Sequence, residues 1–256
     1  MVMGPTHAMS GAAAGAVVAV ATAHLNGEPV SLPAAGVLIG VTAGAAILPD
    51  LDHPSGTAAR VLGPVSRVFA VFINRASSML AELTGAKGRN VGGHRTVTHT
   101  LVFAVALAAA TWAAVEVGEQ ALTIALFASL VLLALHSLAR PLARQWGAVG
   151  SVVVAAGVTV LIARDMPDML SAPVMATAVG VGCVTHCVGD AVTKSGVPLF
   201  APLIPVGGDR WGAVHLLPPP VRIRASGPGD SLVMLFCIAA LVFVLVQGWN
   251  RGLIVS

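Results

Sequence analysis

Three short stretches of the chain carry residue types that can hold a metal ion. Leu48-Pro-Asp-Leu-Asp-His-Pro54 sets Asp50, Asp52 and His53 where an apolar run stops. His94-Arg-Thr-Val-Thr-His99 straddles the expected start of another apolar run, and His186-Cys-Val-Gly-Asp190 closes a third. Carboxylates favour hard ions such as Mg or Mn, imidazole suits Zn, and a mixed set holds Zn, Mn or Fe. His186 and Asp190 stand at i and i+4, so on a helix they share a face and can grip one ion. Arg95 offers a guanidinium suited to a phosphate or carboxylate oxygen. Each stretch also has a plainer reading: acidic residues near a helix end serve as caps or solvated loop residues, and a helix-ending His or Asp can simply face water.

What must position these residues follows from composition. The 256 residues are 56% hydrophobic and 10% charged, with mean hydropathy +0.88. Soluble domains carry about 25% charged residues. A chain so poor in charge cannot cover a water-facing surface, so residues 1–256 are expected to form one integral membrane domain. The net charge of +3 implies no nucleic-acid partner, because membrane proteins are commonly basic on one side. Cys183, Cys187 and Cys237 lie too deep in apolar runs for a disulfide framework. Cys183 and Cys187 flank His186, yet they fit small buried apolar residues better than thiolate ligands. The first nine residues hold no Lys or Arg, so no cleavable signal peptide is expected.

Apolar runs at 10–25, 34–48, 96–118, 120–139, 145–163, 171–189 and 231–249 predict an all-α membrane protein with about seven transmembrane helices. Residues 57–83 differ. Arg60, Arg67, Asn74 and Glu82 recur along one stripe of an otherwise apolar helix, the pattern of an amphipathic helix lying in the membrane interface. A tilted spanning helix is the other reading of that segment. Arg140-Pro141 is expected to end the helix over 120–139, and the Pro/Gly-rich stretch 191–229 to be a loop.

Alternation of the seven spans then assigns sides. With Asp50 on side A, the N-terminus, the 50–95 segment, the 140–144 turn and the 190–230 loop share that side, and the C-terminus is opposite. Of the 14 Lys and Arg residues, only Arg164 and Arg251 fall on side B. The positive-inside rule makes side A cytoplasmic. The same alternation, which took no account of histidine, puts His7, His53, His94, His99, His186 and His215 on side A with Asp50, Asp52 and Asp190.

These residues resemble a known family. His7-Ala-Met-Ser-Gly11, Leu48-Pro-Asp-Leu-Asp-His-Pro54, His94-Arg-Thr-Val-Thr-His-Thr100 and His186-Cys-Val-Gly-Asp-Ala-Val-Thr-Lys-Ser-Gly-Val-Pro198 are similar, in order, to the YdjM-like family of inner-membrane proteins. That family is described as LexA-regulated, metal-dependent hydrolases. Thr100 stands where the family pattern has Ser, and Arg222-Ile-Arg-Ala-Ser-Gly227 with Asp230 corresponds to a pattern that ends in Glu. The resemblance implies metal-dependent hydrolysis at the bacterial inner membrane and leaves the substrate open.

The combined expectation is a hydrolase site at the cytoplasmic face. His7, Asp50, Asp52, His53, His94, His99, His186 and Asp190 would supply ligands for one or two divalent ions (Zn, Mn or Mg). Asp52 is the preferred general base, and Arg95 stabilises developing negative charge. Thr193 and Lys194 orient the substrate, an ester or phosphoester of a lipid or lipid-linked molecule. Arg60, Arg67 and Arg75 either draw anionic head groups to this side or only anchor topology. Two rivals remain: a transporter or metal-handling protein, which would place ligands near the bilayer midplane, and a non-catalytic scaffold keeping a structural metal.

Overall fold

The computed structural model of the chain describes residues 3–87, 94–225 and 227–256. The centre of the Gly-rich basic loop, with Arg89, lies outside the described residues, as does Ser226. Among the described residues there are eight α-helices: α1 (Met3–Asn26), α2 (Leu32–Ala45), α3 (Pro64–Leu83), α4 (Leu101–Val117), α5 (Gln120–Leu138), α6 (Arg140–Asp165), α7 (Ala172–Ala191) and α8 (Pro228–Asn250). Short 3-10 turns follow α2 at Pro49–Asp52 and precede α4 at Val97–His99. Six segments are long and apolar enough to cross a membrane: α1, α2 with its following turn, and α5 to α8; α4 is a shorter apolar helix of 17 residues. The expected set of about seven apolar helices is therefore present.

Local chemistry explains several boundaries. Ser31 caps α2 by accepting from the Ala34 N–H at 3.3 Å, and Thr100 caps α4 by accepting from the Phe103 N–H at 3.1 Å. The amphipathic helix begins at Pro64, not near residue 57, because Gly63 takes φ +61° and Pro64 then opens the helix. Arg140-Pro141 also behaves differently from expectation. α5 ends at Leu138 by itself, and Pro141 sits in the first turn of α6, where its missing N–H costs nothing. α6 is interrupted at Gly147, whose φ of 68° is not helical.

Helix α2 is the hub, packed against α1, α5 and α7. Small residues make this approach possible, as membrane helices require when lipid already satisfies apolar surface. A Cβ on Gly11 would lie 2.6 Å from the Ala46 Cβ, and one on Gly182 would lie 2.6 Å from the Ala45 Cβ. Val41, Ala45, Phe127, Leu130, Met175 and Val179 fill the core between α2, α5 and α7. The outer helices are apolar on their free faces. Only 6% of the α8 window is buried inside the protein, and Phe236 is 73% exposed. Such a surface has hydrocarbon as its solvent.

Helix α3 also leaves its apolar side uncovered, with Val68, Phe72 and Leu83 exposed, while Ala70, Ser77 and Ala81 pack inward. At the far end of the bundle from the three motifs, Val30 and Ser31 pair in parallel with Ile254 and Val255. The turn after α1 and the chain end after α8 thus meet. In the 191–229 stretch, bridges Thr193–Ile223 and Val197–Val214 fold the loop back onto the end of α7.

Replacing Gly182 by Leu should force α7 away from α2. Overpacking of this kind costs about 1–3 kcal/mol, so the variant is expected to show a lower thermal midpoint in detergent than the wild type, and an unchanged midpoint would contradict the close packing.

Candidate metal centre

The site forms because three chain segments end at one place. The N-terminal turn of α1 brings His7, the turn after α2 brings Asp50 and Asp52, and the last turn of α7 brings His186 and Asp190. The segment before α4 crosses between them with His94, Arg95, Thr98 and His99. His7, Asp52, His99, His186 and Asp190 are all buried, and Asp50 is partly so.

Two imidazole nitrogens meet at the centre. His186 Nε2 lies 3.1 Å from His99 Nε2. Asp190 Oδ2 is 3.3 Å from His99 Nε2 and 3.7 Å from His186 Nε2. Asp50 Oδ1 is 3.9 Å from His99 Nε2 and 3.7 Å from His186 Nε2. Ligands at about 2.0–2.1 Å from a tetrahedral ion are spaced about 3.3 Å apart. The His99, His186 and Asp190 atoms, at 3.1–3.7 Å from one another, therefore have nearly the spacing that a metal imposes on its ligands, and Asp50 lies within 3.9 Å of both rings.

The outer partners assign the tautomers. His186 Nδ1 sits 2.7 Å from the Ala46 carbonyl, which only accepts, so Nδ1 holds the proton. Thr98 donates its hydroxyl proton to Asp52 Oδ2 at 2.6 Å, so its oxygen accepts from His99 Nδ1 at 2.9 Å. With Nδ1 protonated in this way, a ring that carries no second proton presents a lone pair at Nε2. Two lone pairs facing each other at 3.1 Å repel unless a cation or a proton lies between them. The carbonyl–His and carboxylate–Thr–His chains are also the outer partners that orient metal-binding imidazoles.

Asp52 is the organiser of one side. Its Oδ1 meets His94 Nδ1 at 2.7 Å, its Oδ2 accepts from the Arg95 N–H at 3.2 Å as well as from Thr98, and its carbonyl accepts from Asn74 Nδ2 at 2.6 Å. Arg95 ties Asp52 to the opposite side. Its Nη2 is 2.7 Å from Asp190 Oδ1, and its Nη1 donates to Thr193 Oγ1 at 2.9 Å. Arg95 adopts φ 62°, a left-handed conformation uncommon outside glycine, held here by contacts at both ends of the residue. His7 Nε2 reaches Asp190 Oδ1 at 3.3 Å while its ring stacks on His186 with centroids 3.8 Å apart.

Two groups of side chains could hold a metal ion: His7, His186 and Asp190, and Asp50, His94 and His99, each with its ligand atoms within 4.8 Å of one another. Of the eight expected ligands, seven are brought together in this cluster. His53 stands at the rim, with its ring 4.5 Å from that of His94 and its Nδ1 facing Ser55. Thr193 is within the network, whereas Lys194 is exposed beside it and lines an open cleft of about 680 Å³ together with His94, Arg95, His215 and Arg222. Cys183 and Cys187 are free, buried thiols outside both groups.

Several participants were not singled out as site residues by sequence. Thr98 stands inside the His94–His99 motif without being a metal-ligand type, and Asn74 reads as part of a polar stripe. The Ala46 carbonyl carries no side-chain signal at all. Asp230, near His7 in a small cavity, is buried with Oδ1 lacking a hydrogen-bond partner.

Fold and site together define a multi-span membrane protein with buried His/Asp clusters able to hold metal. The chain belongs to the YdjM inner membrane protein family, which matches residues 1–140 and 144–253. It is thus a multi-pass inner-membrane protein. Searches of the curated proteins and of the solved structures found no match.

Two histidines at the rim have their pKa values moved in opposite directions. Burial disfavours a charge on His94, but the hydrogen bond and charge of Asp52 outweigh it and raise the pKa above the ordinary 6.5. Burial and the neighbouring His94 push His53 in the opposite direction. A raised folded-state pKa contributes stability that is complete below the unfolded value and lost as pH rises through the folded value. The His94–Asp52 pair should therefore contribute stability that falls as pH rises above about 6.5 in the metal-free protein, and His94→Gln should flatten that slope. An identical slope in the variant would contradict the His94–Asp52 pairing.

Proposed function

We propose that the protein is a metal-dependent hydrolase acting at the cytoplasmic face of the inner membrane on an ester or phosphoester of a lipid or lipid-linked substrate. The observation that supports this reading most strongly is the pair of buried Nε2 atoms of His99 and His186, 3.1 Å apart between Asp50 and Asp190. His99, His186, Asp50 and Asp190 would hold a single ion. If two ions are bound instead, His7, His186 and Asp190 would hold one and Asp50, His94 and His99 the other. When bound, a divalent ion supplies Lewis acidity, polarising an ester or phosphoryl oxygen and lowering the pKa of water toward neutrality.

The protein groups divide the remaining work. Asp52 is fully buried and both its oxygens are engaged, so it holds His94, Thr98 and, through Thr98, His99 in place. Asp50 keeps 16% of its side chain exposed and is the better placed of the two to accept a proton from water. Arg95, with Lys194, His215 and Arg222 along the 680 Å³ cleft, favours a substrate with negative charge on oxygen, and a phosphate fits this set better than a neutral ester. The uncovered apolar side of α3 suits a lipid interface beside the same end of the bundle. The cytoplasmic assignment rests on the bias of Lys and Arg, of which only Arg164 and Arg251 fall on the opposite side.

The test is release of phosphate, phosphorylated head group or fatty acid from a panel of lipid phosphates, phosphodiesters and carboxylic esters, using metal-loaded protein in detergent. Wild-type protein is expected to turn over at least one phosphate-bearing lipid. Asp50→Asn, which removes a proposed ligand as well as the proposed base, should lose about 10²–10⁴-fold in rate while keeping its fold. Asp52→Asn should instead weaken metal binding about 10–100-fold, as the loss of an outer-sphere partner does. A stoichiometric metal with no release from any member of the panel would replace the hydrolase reading with that of a structural-metal scaffold.

A further inference from the structure

Beside the metal centre, a second cavity of about 330 Å³ opens between the 55–63 turn, the end of α5 and the start of α6. Its polar wall is Ser55, Thr57, Arg60, His136 and Arg144, and none of the described residues lining it is acidic. The basic groups come from three separate elements, so their gathering is not a property of one charged helix face. Arg60 is oriented by donating from Nη2 to the Ser55 carbonyl at 2.6 Å. His136 is held by its Nδ1, which meets the Leu132 carbonyl at 3.1 Å, and lines the wall beside the two arginines. Gly147, with its φ of 68°, interrupts α6 and itself forms part of the wall, so the cavity lies where the helix breaks.

Cations gathered in one cavity without a carboxylate repel one another, and an anion between them removes that cost. Two guanidinium forks and two hydroxyls match the geometry of a phosphate with several acceptor oxygens. The cavity also lies at the membrane end that holds the His/Asp cluster, because Ser55 contacts His53 Nδ1 at 3.2 Å. Basic pockets between spans at this level recognise phosphorylated head groups. We propose that this cavity is a phosphate-binding site, separate from the metal centre, for the phosphate of an anionic lipid head group or for free phosphate. It does not depend on the hydrolase reading.

The test uses the purified full chain in an uncharged detergent, with three probes: short-chain phosphatidylglycerol, phosphatidylcholine of the same chain length, and inorganic phosphate. The readout is the saturable rise in thermal midpoint. Phosphatidylglycerol is expected to raise it and phosphatidylcholine not to, with Arg60→Gln/Arg144→Gln moving the half-saturating concentration at least about tenfold. An arginine-dependent response to inorganic phosphate but not to phosphatidylglycerol would support the site and assign it to free phosphate. Should the double variant fold poorly, the exposed Arg144→Gln alone serves, with Arg144→Lys expected to retain more of the response. A wild type that responds to neither anion, or variants that respond as the wild type does, would overturn the proposal.

Discussion

The structure depends on one costly arrangement: two imidazoles with Nε2 atoms 3.1 Å apart, buried among three carboxylates at the end of a helix bundle. Buried charge that is neither paired nor hydrogen-bonded is expensive, and ionisable residues in apolar helices usually face a partner or a cavity. Here every carboxylate has a defined neighbour. Asp52 takes His94, Thr98 and a backbone N–H; Asp190 takes Arg95 and His7; Asp50 is left with its oxygen toward the two rings and a partial opening to the outside. One cation at the meeting point would satisfy all that remains.

The bundle exists to hold that meeting point. α2 can bring Asp50 and the Ala46 carbonyl beside α7 only because Gly182 lets the two backbones touch near Ala45. α3 closes the site from outside, with Asn74 on the Asp52 carbonyl and Ser77 paired with Thr96 at 2.6 Å. Arg95 spans the whole cluster from Asp52 to Asp190 in a strained backbone conformation. Strain of this kind survives where the surroundings over-determine it, and such places are commonly functional.

Much of this was legible in the residues. Charge-poor runs of spanning length announce the helices, and alternation alone carries His7, Asp50, His99, His186 and Asp190 to one end. Spacing at i and i+4 places His186 with Asp190, as observed in α7. The less legible parts have physical reasons. The break after α5 and the start of α6 depend on Ala139 and on Pro141 as a first-turn residue, and a proline in sequence marks a start or a stop equally well. Asn74 follows the polar stripe of α3, so its period hides its bond to Asp52. The Ala46 carbonyl and the Thr98 relay are invisible because they depend on which backbone happens to approach. The sequence prefers Asp52 as the general base, and its complete burial is visible only in the folded chain.

The measurement that bears most directly on the central claim is K-edge absorption spectroscopy of the metal in protein purified without chelator, with His186→Ala as the comparison. The structure predicts a stoichiometric first-row metal with imidazole nitrogen and carboxylate oxygen ligands, and the loss of one imidazole from that shell in the variant. A wild-type protein without bound metal, or a metal whose shell contains no imidazole and is unchanged in the variant, would contradict it.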